Sequence, residues 1–63
     1  MKRNELRALI VAKGLTQMEV AHMLGITPRT FYTKMKKGVF GTDEAEKMID
    51  ILEIKNPSEI FFE

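Results

Sequence analysis

Residues 15–37, LTQMEVAHMLGITPRTFYTKMKK, decide the fold because they carry the start and stop signals of two consecutive short helices. Thr16 and Glu19 have the T-x-x-E spacing of a capping box, in which a hydroxyl and a carboxylate each accept a hydrogen bond from a backbone amide at the helix start. The pattern predicts a helix at about residues 17–24. Its inner face is expected to contain Val20, Ala21 and Leu24.

A tight turn and a second helix follow directly. Gly25 stands where a left-handed backbone is needed to end the first helix at once. Thr27 is a suitable N-cap, and Pro28 suits the first helical position because its missing amide hydrogen has no helical partner there. The second helix is expected at about residues 28–36, with Phe31 and Met35 in the core. Two short helices joined by a glycine-containing turn predict a helix-turn-helix.

Helical signals also occur on both sides of this motif. A first helix is expected at about residues 4–13, ending before Gly14, with a buried face made by Leu6, Leu9 and Ile10. Thr42 is expected to cap a fourth helix, whose first turn contains Asp43 and Glu44. Its apolar residues repeat with helical spacing at Ala45, Met48, Ile49 and Leu52.

A short closing turn of helix is expected near the end of the sequence. Asn56 is a candidate cap and Pro57 a candidate first helical residue, followed by Ile60, Phe61 and Phe62. No stretch has the alternating pattern of a strand. The expected fold class is therefore all α, a compact four- to five-helix bundle that forms one domain over residues 1–63.

Length and composition narrow the class of protein. A chain of 63 residues can bury only a small core, and without cysteine it has neither disulfides nor thiolate zinc ligands to reinforce that core. The longest apolar run, residues 8–12, is far shorter than the roughly 20 residues needed to span a bilayer. We therefore expect a soluble, cytoplasmic protein with no membrane partner.

Charge is distributed unevenly along the chain. The net charge is only +1, but residues 20–42 contain four basic side chains and no acid, whereas residues 43–63 contain seven acids and two lysines. A basic middle section beside an acidic end is expected where one face of a protein meets a polyanion.

The stretch 15–37 resembles the helix-turn-helix of the Cro and C1 repressor family of temperate phages and its bacterial relatives. The flanking segments LRALIVAKG, EKMIDILEI and NPSEIFF also resemble the flanking helices of small phage-encoded members, so the similarity extends over nearly the whole chain. The resemblance implies a lambda-repressor-like fold and a phage-type transcriptional regulator. Such a protein would bind double-stranded DNA near the nucleoid of a bacterial host cell.

The resemblance also implies which residues contact DNA. In that family the glutamine that opens helix 2, here Gln17, contacts the DNA backbone or a base-reading side chain. The start of helix 3 faces the major groove, which assigns this role to Thr27, Pro28, Arg29, Thr30, Tyr32 and Thr33. Arg29 is the best candidate for base readout because arginine can pair with guanine O6 and N7, although a phosphate contact is the simpler alternative.

Two further lysines are candidate phosphate contacts. Lys36 and Lys37 stand in the acid-free stretch, which favours contact with a polyanion. The alternative is structural, because cations at the end of a helix also stabilise its dipole.

A protein-binding function stays open beside DNA binding. Pro28 cannot read a base through a polar side chain, and Asp43 and Glu44 would repel phosphate. Several apolar residues do not fit the core pattern: Met18, Met23, Val39, Phe40 and Phe62. These features are compatible with a modulator or antirepressor that docks on a partner repressor, although the same side chains could simply complete a small core. A homodimer through Ile60, Phe61 and Phe62 is also open.

An enzymatic function has little support in the sequence. His22 is the single histidine and there is no cysteine, so neither a metal site nor a nucleophilic pair can be assembled from these residues. The acids Asp43, Glu46 and Asp50 share one helix face, which is typical of a solvated surface. No phosphate-binding glycine loop is present, and we expect neither catalysis nor a cofactor.

Overall fold

Residues 1–62 are described by the computed structural model, and all of their regular structure is helical. No strand occurs within that range. The helices are α1 (Arg3–Ala12), α2 (Gln17–Leu24), α3 (Pro28–Lys37), α4 (Thr42–Leu52) and α5 (Pro57–Phe61). The expected all-α fold is confirmed: a compact bundle that contains a helix-turn-helix.

The core lies between the helices, with Phe31 of α3 fully buried at 0% exposure. Every helix contributes to it, and the buried residues are Leu6, Ile10, Val20, Ala21, Leu24, Phe31, Met35, Met48, Leu52, Ile54 and Ile60. Leu9 is an exception to the predicted first-helix face, because it is only half-buried at the edge of this cluster. Ile60 is buried at 1% exposure, so it cannot form part of the homodimer surface that the sequence left open.

The junction of α2 and α3 depends on Ala21 and Gly25. Ala21 is completely buried, so its small side chain lets α3 approach α2 closely. Gly25 has the left-handed φ of +75°. The residue after it, Ile26, donates a backbone hydrogen bond to the Ala21 carbonyl of α2 at 3.1 Å. Because a side chain disfavours this left-handed conformation, glycine allows the chain to turn directly into α3.

The capping box predicted for α2 is present in full. Glu19 N donates to Thr16 Oγ1 at 3.1 Å, and Thr16 N donates to Glu19 Oε1 at 3.0 Å. These two bonds satisfy amides that would otherwise lack helical partners. They hold the start of α2 in a defined position relative to the turn from α1.

The start of α4 differs from the sequence-based prediction. Thr42 is the first residue of the helix and does not cap it; the N-cap is Gly41. Glu44 Oε1 accepts a hydrogen bond from Gly41 N at 2.8 Å, so the carboxylate alone supplies the side-chain part of the cap. The prediction was wrong by one residue because the carboxylate can satisfy the preceding amide without a hydroxyl at the cap.

The closing helix also differs in detail. Asn56 precedes α5 but makes no side-chain cap; its Nδ2 donates to Glu59 Oε2 at 3.0 Å. Phe62 lies just beyond the end of α5 and is 82% exposed, whereas Phe61 is half-buried. The residue that precedes α1 is joined to α5, since Lys2 N donates to the Ile60 carbonyl at 2.8 Å.

Candidate nucleic-acid interface

The candidate interface is the outer surface of α3. Phe31 and Met35 anchor the inner face of this helix in the core, which turns the opposite face outward. Arg29, Thr33 and Lys36 follow one another at i, i+4 and i+7 on that outward face, and all three are exposed. The helix therefore presents an arginine near its start and a lysine near its end along one line.

The start of α3 is stabilised by Thr27 and Pro28. Thr30 N donates to Thr27 Oγ1 at 3.2 Å, which is the predicted N-cap. Pro28 is the first helical residue and is half-buried, so its ring packs partly against the domain. The exposed surface of α3 consequently begins in practice with Arg29.

Arg29 is exposed and keeps all of its side-chain donors. Within residues 1–62 its guanidinium makes no hydrogen bond or ion pair. A guanidinium presents a rigid fork of N–H donors that fits two acceptors at once. The chemistry available here is bidentate donation to a guanine edge or to a phosphate.

The three threonines differ in how their hydroxyl groups are used. Thr27 Oγ1 accepts from Thr30 N and donates to Thr30 Oγ1 at 2.9 Å, so it is occupied by the helix cap. Thr33 Oγ1 donates to the Arg29 carbonyl at 3.0 Å and can still accept. The hydroxyl proton of Thr30 has no acceptor among the described residues, and this group can therefore donate to a ligand.

Tyr32 flanks the outward face and is 48% exposed, as its position one residue after Phe31 predicts. Its ring stands edge-on to the Phe31 ring, with centroids 6.3 Å apart and an interplanar angle of 78°. That contact orients the ring from the core side. The hydroxyl has no partner in the described part of the chain.

Lys34 differs from the other two lysines of α3 because it is paired with an acid, Glu44. Its Nζ donates to both carboxylate oxygens of Glu44, and the pair is largely shielded, with side-chain exposures of 34% and 15%. The hydrogen bond from Lys34 is the main reason that the pKa of Glu44 is lowered, and the Gly41 amide contributes in the same direction. Glu44 thus neutralises a lysine of α3, which the sequence alone did not indicate.

Lys36 and Lys37 remain available near the end of α3. Both are exposed, and neither side chain has a hydrogen bond or ion pair within residues 1–62. The Lys36 carbonyl is occupied, because Arg3 Nη1 of α1 donates to it at 2.6 Å. Sequence reasoning missed Arg3, since the two residues are 33 positions apart and no local pattern joins them.

Gln17 lies on a different helix from the other candidates. It is the first residue of α2, directly after the capping Thr16, and its side chain is half-buried. The α2–α3 packing keeps the starts of both helices in one rigid motif. The structure thus gathers Thr27, Arg29, Thr30, Tyr32, Thr33, Lys36 and Lys37 on exposed positions around α3, and holds Gln17 and Pro28 partly covered.

The exposed apolar residues singled out from the sequence divide into two groups. Phe40 is half-buried and packs on Phe31, with ring centroids 5.4 Å apart, so it completes the core. The others have exposures between 51% and 82%: Met18, Met23, Val39 and Phe62.

Residues 1–62 contain no candidate metal cluster and no candidate membrane span. His22 is exposed on α2, and no group of three or more histidine, cysteine, aspartate or glutamate residues that could hold a metal ion occurs among residues 1–62. None of the helices in that range is both long enough and apolar enough to cross a bilayer.

Comparison with known proteins identifies the motif independently. Residues 7–38 match the family model described as bacterial regulatory protein, Fis family. The match extends from α1 through the turn to the glycine that ends α3, and it identifies the chain as a helix-turn-helix DNA-binding regulatory protein. No curated protein and no solved structure matches the chain. The expected DNA-binding helix-turn-helix is confirmed, whereas membership of the Cro and C1 family stays a prediction.

Proposed function

This chain belongs to the Fis family of bacterial regulatory proteins, and from that premise we propose that it is a sequence-specific transcriptional regulator of phage type. Its recognition helix α3 enters the major groove of double-stranded DNA. It acts in the cytoplasm of a bacterial host by occupying an operator, without chemistry or a cofactor. A side chain that reads bases and side chains that contact phosphate are both required for this function.

The observation that carries the proposal is the state of Arg29. It stands in the first turn of an exposed basic helix, and no acid in residues 1–62 competes for its guanidinium. An arginine at this place on a recognition helix can donate two hydrogen bonds to guanine O6 and N7.

The neighbouring side chains support a small number of base contacts. Thr30 has a free hydroxyl proton, and Thr33 can accept a hydrogen bond or touch a thymine methyl. Pro28 adds no donor or acceptor, and Thr27 is occupied by its cap. We therefore expect specificity to depend partly on the shape and flexibility of the DNA.

Phosphate contacts are assigned to both ends of the motif. Within residues 1–62 Lys36 and Lys37 are unpaired and the Tyr32 hydroxyl has no partner, so all three side chains can donate to phosphate beside the base-reading turn. Gln17 at the start of α2 is a further candidate for contact with the DNA backbone, through its side-chain amide. These contacts fix the register of α3 on the duplex.

The deciding experiment is selection of binding sites from a library of randomised duplexes, followed by affinity measurements on the enriched sequence. Arg29→Ala should weaken binding to that duplex by roughly 1–3 kcal/mol and relax the preference at a guanine. Arg29→Lys is the matched control, because lysine keeps the charge but lacks the bidentate fork.

The pair of variants separates base readout from simple charge. If Arg29 reads a guanine, Arg29→Lys loses discrimination at that base while it keeps most of its nonspecific affinity. Wild-type affinity and specificity in both variants would contradict the assignment of Arg29. Failure to enrich any sequence would contradict sequence-specific binding itself.

A second function is favoured by one specific observation. Met18 and Met23 on α2 are 57% and 51% exposed, and together with Glu19 and His22 they line a shallow, mainly apolar depression. Methionine side chains adapt well to a partner surface. This surface suits a modulator or antirepressor that docks on a partner repressor.

The test of this alternative is a binding measurement with a repressor encoded beside the gene for this chain. Met18→Ser with Met23→Ser should abolish that complex and leave DNA binding unchanged, whereas Arg29→Ala should do the reverse. An interaction that survives the methionine substitutions would contradict docking through α2.

A further inference from the structure

Arg3 connects the start of α1 to the end of the recognition helix. Its Nη1 donates to the Lys36 carbonyl at 2.6 Å, across 33 positions of sequence. The carbonyls in the last turn of a helix carry partial negative charge, which would repel DNA phosphates nearby. A guanidinium bound there offsets that charge and adds a full positive charge beside Lys36 and Lys37.

Most of the hydrogen-bond donors of Arg3 are unused within residues 1–62. A guanidinium has five N–H donors, and one of them is occupied by the Lys36 carbonyl. The Arg3 side chain has no carboxylate partner among residues 1–62 and lies on an exposed part of α1. Donors are therefore left for a ligand while the backbone contact holds the group in place.

Arg7 extends the same surface by one helical turn. It stands four positions after Arg3, which places the two side chains on one face of α1. Arg7 is exposed and its Nη1 donates to Asn4 Oδ1 at 3.1 Å, again without an acid partner in the described chain. Both arginines border a shallow polar depression at residues 1–7 in which Glu5 is the one acid among three basic residues.

The position of these charges is unfavourable for α1 itself. Arg3 is the first residue of the helix, and the preceding Lys2 makes no side-chain cap. Cations at a helix N-terminus oppose the helix dipole and cost stability. The stability of α1 therefore does not explain Arg3, whereas its contact with the end of α3 places a cation beside Lys36 and Lys37 and points to an anionic partner.

We infer that Arg3 and Arg7 form a second phosphate-binding site, which contacts the DNA backbone beyond the C-terminal end of α3. The inference rests on the proposed function, because it takes α3 to lie in the major groove. It adds a contact from α1 to those of the helix-turn-helix, and Arg3 lies outside the residues 7–38 that match the family. The positive surface then continues from Lys36 and Lys37 onto α1.

The test is the salt dependence of affinity for the selected duplex, measured for the wild type and for Arg3→Gln, Arg7→Gln and the double variant. Each lost phosphate contact should reduce the slope of log affinity against log salt by about 0.9. The double variant should therefore lose about 1.8 from the slope. Arg3→Lys should retain the wild-type slope, because it keeps the charge.

A control and a second readout separate binding from folding. Lys13→Gln changes the charge by the same amount at the other end of α1, about 15 Å along the helix, where Lys13 pairs with Glu53, and should leave the slope unchanged. Thermal unfolding of each variant shows whether the Arg3–Lys36 bond is only structural. A lower melting temperature for Arg3→Gln with an unchanged slope would overturn the inference.

The length of the duplex provides an independent check. On a duplex trimmed to the selected core sequence, the phosphates beyond the end of α3 are missing, and Arg3→Gln should then match the wild type. If wild-type protein binds no duplex, the proposed function fails. If the wild type binds and Arg29→Lys loses discrimination while Arg3→Gln, Arg7→Gln and the double variant all keep the wild-type slope, the second site alone is refuted.

Discussion

Lys34 Nζ lies 2.7 Å from Oε1 and 2.6 Å from Oε2 of Glu44, so a lysine of the recognition helix is bound to the first turn of α4. The same carboxylate caps α4 by accepting from Gly41 N at 2.8 Å. One side chain therefore stabilises the start of α4 and ties it to α3. Because Glu44 neutralises Lys34, this positive charge of α3 is not available to DNA.

Loss of this carboxylate should destabilise the fold. Glu44→Gln removes the ion pair and weakens the cap, and because the pair is partly exposed we expect a loss of about 1 kcal/mol in the free energy of unfolding. Urea denaturation at pH 7 measures the change. Asp43→Asn is the matched control, since the adjacent Asp43 is exposed and has no partner within residues 1–62. Equal losses in both variants would rule out this role for Glu44.

The stabilisation should also depend on pH. The hydrogen bond from Lys34 lowers the pKa of Glu44 below its ordinary value of 4.5, so the folded state favours the carboxylate. The benefit is fully present above the unfolded-state pKa and is lost as the pH falls through the lower folded-state pKa. The difference in unfolding free energy between wild type and Glu44→Gln should be constant near pH 7 and shrink below about pH 4.5. A difference that persists unchanged at pH 2 would contradict this account.

Substitution of Gly25 should destabilise the motif because of the backbone conformation at this position. A Cβ placed there meets no atom within 4 Å, so the cost of Gly25→Ala comes from the left-handed φ of +75° and not from a clash. We expect a loss of about 1–2 kcal/mol on thermal or urea unfolding. Gly25→Asn should lose less, because asparagine tolerates this conformation better. Equal losses for the two variants would indicate a different cause.

The two threonines on the outer surface of α3 should contribute unequally to DNA affinity. Thr30→Val removes a hydroxyl whose proton has no acceptor within residues 1–62, whereas Thr33→Val removes a donor already bonded to the Arg29 carbonyl. A neutral hydrogen bond is worth about 0.5–1.5 kcal/mol, so Thr30→Val should weaken binding by that amount and Thr33→Val by less. Fluorescence anisotropy with the selected duplex measures both. The reverse order would show that Thr33 leaves its helical acceptor on binding.

Much of the motif could be predicted from the sequence because its determinants are local. The capping box of Thr16 and Glu19, the left-handed Gly25 and the Thr27 cap all act within one turn of helix, and their residue types and spacing alone indicate the geometry. The exposure of Arg29 follows in the same way from its position relative to Phe31. The role of Arg29 on DNA stays a prediction.

The remaining features depend on which helix ends meet in three dimensions. Local patterns did not indicate that α4 begins at Thr42. They also did not indicate that Glu44 pairs with Lys34, or that Arg3 contacts the Lys36 carbonyl. Helix periodicity indicates which face of a helix is buried, but it carries no information about which neighbour that helix approaches. The sequence by itself thus determined the helix-turn-helix and its outward arginine. Tertiary packing alone decided which cations stay free for a polyanion, because that depends on contacts between residues far apart in the chain.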